Sequence, residues 1–468
     1  MSVGKPVAGE SLHQSNTGLN DTGYLPSHEK VSHGLCYPSC DDRGDLSCTS
    51  YTRYLQKLIR GLSGVRVAVA WRFLVLGAVM TFSGCAGMTE MVRDVARDLS
   101  DIDLEAMSGG FLGAEPLMVS PEQMASLAKL PRVRSLWQNT LEESKVAVFL
   151  PVFENGSVYA ASMNGELLRF DPLSGRQSGS IQTRSQLSGG VGTGEGMVLV
   201  GSFKGQVLAY DERNGKLLWN AHVSTEVLSP PRAGNGMVIV RTGDGRIFSL
   251  EAGSGKRKWI YQGATPALTV RSFAGVVISN GMVFAGFAGG KLVALNLSNG
   301  SVAWEAVVAR PKGATELERI TDITSLPVAD ERQICAVAYQ GRVACFDAAS
   351  GNQLWARDVS SNAGLAMDEY YIYVSENKGE LIAYDKRDGA SVWKQDMLSG
   401  FRLSPPLIHD AYIVVADSLG NVSVIRRDNG SIVARSSTDG SAILARPAPL
   451  PNGFVVQTRN GGLYAFGI

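Results

Sequence analysis

From about residue 137 to the carboxyl terminus, Val, Leu, Ile, Tyr and Ala gather in runs of four to six residues bounded by Gly, Asn, Asp or Ser. Runs of that length with that punctuation predict many short β-strands joined by tight turns. The stretch "GMVLVGSFKGQVLAYDERNGKLLW", Gly196 to Trp219, shows the plan: a strand, a Gly turn, a second strand, an Asp, a second Gly turn and a Trp. Helical periodicity is almost absent here. Upstream, "SPEQMASLAKL", Ser120 to Leu130, predicts one short helix. Ser120 and Gln123 form its capping box, and Met124, Leu127 and Ala128 share one face.

The pattern recurs seven times. First-turn glycines are Gly165, Gly205, Gly245, Gly290, Gly341, Gly379 and Gly420, followed by second-turn glycines Gly175, Gly215, Gly255, Gly300, Gly351, Gly389 and Gly430. Beyond the second Gly stand Trp219, Trp259, Trp304, Trp355 and Trp393, while the first and last copies carry Gly179 and Ala434. A period of about 41 residues with four strands per unit is that of a β-propeller blade. The truncated last copy, "NGFVVQTRNGGLYAFGI", lacks its Trp strand, which is present upstream as "RVRSLWQNTL" with Trp137. The two ends therefore complete one blade, and an all-β, eight-bladed propeller of four-stranded antiparallel blades is expected over 119–468.

Each repeat position has a mechanical reading. The first Gly supplies the positive φ of a hairpin, and Asp171, Asp211, Asp347 and Asp385 suit the turn that follows. The Trp supplies apolar area between blades. Pro151, Pro231, Pro327 and Pro406 stand about five residues before the next strand, as fits a strand start or an exposed edge.

The amino-terminal part is of another kind. Residues 73–82, "FLVLGAVMTF", form a charge-free apolar run preceded by Arg66 and Arg72 and followed by "SGCAG". That is a secretory signal, too short to span a bilayer as a helix. "FSGC" resembles the bacterial lipobox, with Phe82 at its first position, which implies lipidation of Cys85. Ala86 after the cysteine implies sorting to the outer membrane. The polar residues 1–64 then read as a non-native or disordered extension, with translation starting near Val65 or Val67, 65–84 as signal peptide and 85–118 as a tether.

Composition narrows the function classes. Lys and Arg number 44 and Asp and Glu 44, so bulk charge favours neither nucleic acid nor a polybasic membrane anchor. Of six cysteines only Cys335 and Cys345 lie in the repeats. They flank a Gln340-Gly341 turn and read as two small buried hydrophobes, with a cross-hairpin disulfide as the alternative. His222 and His409 have neither metal-ligand nor triad spacing. No catalytic residue, metal or cofactor is expected.

The repeat resembles the PQQ-type propeller repeat, and a lipobox followed by one such propeller is similar to the BamB family, lipoprotein subunits of the outer-membrane β-barrel assembly machine. "PALTVRS", Pro266 to Ser272, resembles the family's segment that contacts the POTRA region of BamA, which implies a contact role for Leu268, Val270 and Arg271. "ELERITDITSLPV", Glu316 to Val328, resembles an Asp-x-Asp stretch of the family, with Asp322 matching the first Asp and Thr324 replacing the second. Both lie in the two longest repeat intervals, so they should form neighbouring loops, where propellers usually place partner surfaces. The resemblance implies a non-enzymatic scaffold at the periplasmic face of the outer membrane, partnered by BamA, other subunits and nascent barrel proteins. A ligand-binding propeller lipoprotein and a quinone-dependent dehydrogenase are the alternatives.

Overall fold

The computed structural model describes residues 119–468 except 264, 265 and 267. The extension, signal, lipidation and tether readings of residues 1–118, Cys85 among them, lie outside the described residues. Eight β-sheets are present among those described, one per predicted blade. In chain order their strands fall within 152–182, 187–222, 232–262, 276–307, 328–358, 364–395 and 407–437, here blades 1 to 7. Blade 8 combines 448–467 with the strand Arg134–Thr140, which pairs antiparallel with Gly462–Gly467. The two ends of the repeat region thus close the ring, as the truncated last copy predicted.

One blade departs from the expected four strands. Val148–Phe149 adds a two-residue parallel strand to the inner edge of blade 2, opposite Gly189 and Gly190. The glycines of that inner strand leave room for the neighbouring chain: a Cβ on Gly192 would lie 2.0 Å from the Pro231 carbonyl oxygen.

The core is divided among the seams. Eight apolar clusters each join two consecutive blades. Alternation along a strand explains how: in blade 2, Met197 and Leu199 pack toward blade 3, while Val198 and Val200 pack toward blade 1. Middle strands are therefore apolar on both faces and read as continuous runs. Outer strands bury little else than the Trp.

Each of those tryptophans docks on the next blade. Trp137, Trp219, Trp259, Trp304, Trp355 and Trp393 donate their indole N–H to the carbonyls of Pro172, Ala252, Leu297, Ala348, Lys386 and Arg427, at 2.7–3.1 Å. Each accepting residue follows the first residue of a second turn. The turn's Gly lies flat against the indole, because a Cβ on Gly300 would come within 2.6 Å of the Trp259 ring. Asp171, Asp211, Asp347 and Asp385 accept backbone N–H groups of their own turns, which confirms them as turn formers. Burying an indole contributes roughly 4–6 kcal/mol of transfer free energy before ordering costs.

The two repeats without Trp have physical reasons. Blade 7 carries Ala434 because its neighbour, blade 8, takes its outer strand from Arg134–Thr140, ahead of the first repeat, and so has no second turn to receive an indole. Blade 1 carries Gly179, and Arg169 takes over, donating Nη1–H to the Glu212 carbonyl at 3.3 Å, the acceptor equivalent to those the indoles use. A cavity of about 210 Å³ remains there, bounded by Arg169, Gly179, Ile181 and Glu212.

Four local expectations need amendment. In blade 5 the positive φ belongs to Gln340 (49°), not Gly341. Gly341 is instead needed for space, since a Cβ would meet that of Ala309 at 2.6 Å. Cys335 and Cys345 are not two separate hydrophobes: they pair directly across the hairpin and form a disulfide, with Cα atoms 4.1 Å apart and both residues fully buried. The helix, α1 (Pro121–Ala128), has Ser120 as N-cap, accepting the Gln123 N–H. Of its predicted face only Leu127 is buried, whereas Met124 and Ala128 are exposed. The Gln123 side chain does not complete a capping box; it donates to the carbonyls of Met397 and Ser399 at 2.7 Å and ties the helix to blade 6. The four prolines stand immediately before short inner strands, such as Arg232–Gly234 and Leu407–His409, whose unpaired edges need no N–H at that point.

Trp137→Ala removes the closing blade's indole from its seam and should cost about 3–5 kcal/mol in chemical unfolding, whereas Gly179→Ala, where a Cβ meets Arg169 at ordinary contact distance, should add about 0.5–1 kcal/mol. Replacing Cys335 and Cys345 together by Ala should cost about 2–3 kcal/mol, from the short loop the bridge closes. In the unaltered protein, neither thiol should label before unfolding under reducing agent.

Candidate functional site

The repeat is interrupted twice in succession, between the strands ending at Gln262 and beginning at Val276, and between those ending at Val307 and beginning at Val328. The two connections meet, as predicted from their succession. Asp322, from the second, is buried and accepts the Val270 N–H of the first at Oδ2 (2.7 Å) and the Gly289 N–H at Oδ1 (3.0 Å). A second tie lies nearby, where Ser272 Oγ donates to the Thr324 carbonyl at 3.2 Å.

The second connection is built in two parts. Residues 310–319 are outside and mostly exposed. Their turn is organised by Glu318, whose carboxylate accepts the N–H groups of Ala314 and Thr315 at 2.8 and 3.0 Å. The Thr315 and Ala314 amides hold that carboxyl below its usual range. Residues 320–325 then turn inward and are buried. Ile323 fills the space above Gly286, where a Cβ would lie 2.1 Å from its side chain.

The candidate residues separate into two roles. Leu268 is half exposed, an apolar side chain facing solvent on an irregular loop. Arg271 is exposed as well and pairs with Glu226 at 3.2 Å. An ion pair that open to water holds Arg271 only weakly. Val270 is half-buried beside them, its backbone fixed by Asp322. Asp322 itself is 4% exposed with both oxygens engaged, so it positions the loop and presents nothing to a partner. Thr324, also buried, donates its hydroxyl to the Asn362 carbonyl at 3.2 Å and so links the second connection onward to blade 6.

Sequence reasoning passed over Arg241, which lies beneath this arrangement. Its Nη1 donates to the Ala274 carbonyl at 3.3 Å, and its guanidinium stacks over the Phe287 ring at 5.2 Å. Burial pushes its pKa down to about 10, against the opposing pull of the Asp322 charge. An Arg in an ordinary strand pattern, "MVIVR", gives no sign that its head will be covered by a loop some thirty residues later. No group of three or more His, Cys, Asp or Glu side chains among the described residues is arranged to hold a metal ion. No helix among them is long and apolar enough to cross a membrane.

The Asp322→Ala variant leaves the Val270 and Gly289 amides without their acceptor and Arg241 without the carboxylate charge that offsets its burial. It should lose about 1–3 kcal/mol, and hydrogen exchange at the Val270 and Gly289 amides should accelerate before that of the blade strands.

A family model described as "Outer membrane protein assembly factor BamB" matches residues 164–395 and 378–467. The outer membrane protein assembly factor BamB of Nitrosomonas eutropha is 48% identical over 398 residues, 85% of this chain and 95% of that protein. That of Bordetella pertussis is 37% identical over 362 residues, 77% and 94% of the two chains. Among solved structures, BamB from Moraxella catarrhalis aligns with a TM-score of 0.66 at 24% identity, over 72% of this chain and all of that one. The quinohemoprotein alcohol dehydrogenase of Comamonas testosteroni aligns at 0.60 and 14% identity, over 73% of this chain and 77% of that one, which is a likeness of fold alone. With the family model spanning the blades and relatives matched over nearly their whole length, this chain belongs to the BamB family of outer membrane protein assembly factors.

Proposed function

We propose that this protein acts as a non-enzymatic scaffold of the outer-membrane assembly machine, docking on the POTRA region of BamA through the loop that carries Leu268, Val270 and Arg271. The observation that carries the reading is the pairing of an exposed apolar side chain and an exposed Arg on one loop whose backbone is fixed from below by Asp322. Large apolar side chains and Arg beside one another are the usual anchors of protein interfaces. A loop already held in place loses little freedom on binding.

In this reading Arg271 exchanges its exposed pairing with Glu226 for a carboxylate of BamA, while Leu268 enters an apolar pocket. Asp322 and Arg241 act through the loop's position. Lipidation of Cys85, at the end of the signal segment, anchors the ring to the periplasmic face of the outer membrane, where several acyl chains make a lasting attachment. The ring then holds nascent barrel proteins near the machine, and free blade edges offer one way to engage unfolded strands.

The test is co-purification of BamA and the other subunits from membranes with the lipidated protein. Leu268→Ala combined with Arg271→Glu should lower BamA affinity at least tenfold, about 1.4 kcal/mol, without altering the circular dichroism or thermal midpoint. Unchanged recovery by a folded double variant would place the contact elsewhere on the ring.

A further inference from the structure

The inner strands surround a central cavity of about 340 Å³, within the usual range of small-molecule sites. Its wall is unusual in charge. Arg232, Arg271, Arg402 and Arg446 line it and no Asp or Glu does, in a chain whose formal net charge is zero. Arg271 has Glu226 as a partner. The side chains of Arg232 and Arg446 make neither a hydrogen bond nor an ion pair among the described residues, although the Arg232 backbone joins its strand ladder.

The repeat shows how exceptional these two positions are. Immediately after the repeat proline stand Val152, Val328, Leu407 and Ala448, but Arg232 in blade 3; immediately before it stand Leu150, Pro230, Leu326 and Pro405, but Arg446 in blade 8. Nothing in blade packing asks for a cation at either place. Both are half-buried; burial lowers both their pKa values, and the Arg446 charge lowers that of Arg232 further, with Glu154 as a partial offset. Two guanidiniums that repel each other across a secluded space, each with five donors and no fixed acceptor, form an unfavourable arrangement unless an anion joins them.

The remainder of the wall qualifies the ligand. Leu228, Phe273, Leu326 and Leu403 make much of it apolar, and Ser325 Oγ lacks a hydrogen-bond partner. We infer that the central cavity binds a small anion, a carboxylate or phosphate group attached to a compact apolar body, held between Arg232 and Arg446. Guanidinium groups suit either head, since both offer oxygens for paired N–H donors. No reaction is involved; the site binds.

Benzoate, for carboxylate with an apolar body, and inorganic phosphate, for the head alone, are suitable probes of the folded protein. Each is titrated calorimetrically and by thermal shift against sodium chloride of equal ionic strength. The expected result is saturable binding of at least one probe with a raised thermal midpoint, weakened at least tenfold in the Arg232→Gln/Arg446→Gln variant. Without ligand that variant should melt no lower than the unaltered protein, because it removes a repulsion. Arg402→Glu, at an exposed wall position, places a carboxylate at the cavity and should weaken binding similarly without burdening the fold. Absence of saturable binding by both probes, or binding unchanged in folded variants, would overturn the inference.

Discussion

The insertion of one blade's indole onto the next blade's turn is the contact on which the ring depends. A propeller has no central core to fall back on: the apolar interior lies in eight separate seams, and each must hold by itself. The indole meets that demand twice, by covering apolar surface and by donating to a carbonyl that would otherwise be desolvated beside it. Positive-φ glycines in those turns serve the same contact, because a Cβ would stand where the ring lies. The exceptions obey the same constraint. Blade 7 meets a blade with no turn to receive an indole, and blade 1 answers the carbonyl of Glu212 with Arg169.

A frame so committed to packing leaves its irregular polar arrangements where the repeat is broken. In regular blades the Asp carboxylates are occupied by turn amides and the tryptophans by neighbouring turns. The two long connections escape this arrangement and use their own polar groups to bind each other. One buried carboxylate, that of Asp322, unites a loop of blade 4 with the segment leading to blade 5, and Arg241 supports them from beneath. An irregular loop thereby acquires a defined shape while leaving Leu268 and Arg271 at the surface.

The central cavity shows a different departure. At the first residue of the inner strand most blades carry an apolar side chain that joins a seam cluster, as Val152, Val328, Leu407 and Ala448 do. Arg232 at that position in blade 3, and Arg446 just before the proline of blade 8, add charge where the fold gains nothing from it, which distinguishes the cavity from the packed seams around it.

Blade number, turn chemistry, the docking tryptophans and closure by the chain ends were all legible from residue order, because each rests on a short pattern repeated at a nearly constant interval. The neighbourhood of the two interruptions was legible for the same reason: consecutive blades are neighbours in space. What residue order did not determine was the environment of single side chains whose partners arrive from far along the chain. Asp322, which resembles the first acid of the family's Asp-x-Asp stretch, is buried and accepts amides from around the preceding blade; Arg232, Arg241 and Arg446 carried no signal in residue order and line cavities built from several blades. Cys335 and Cys345 were placed opposite each other by the turn, yet only the paired strands brought their sulfurs into a bond. Periodic sequence specifies the contacts a blade makes with its immediate neighbours; burial and charge inside the ring depend on all eight blades meeting, and that is a property of the closed tertiary structure.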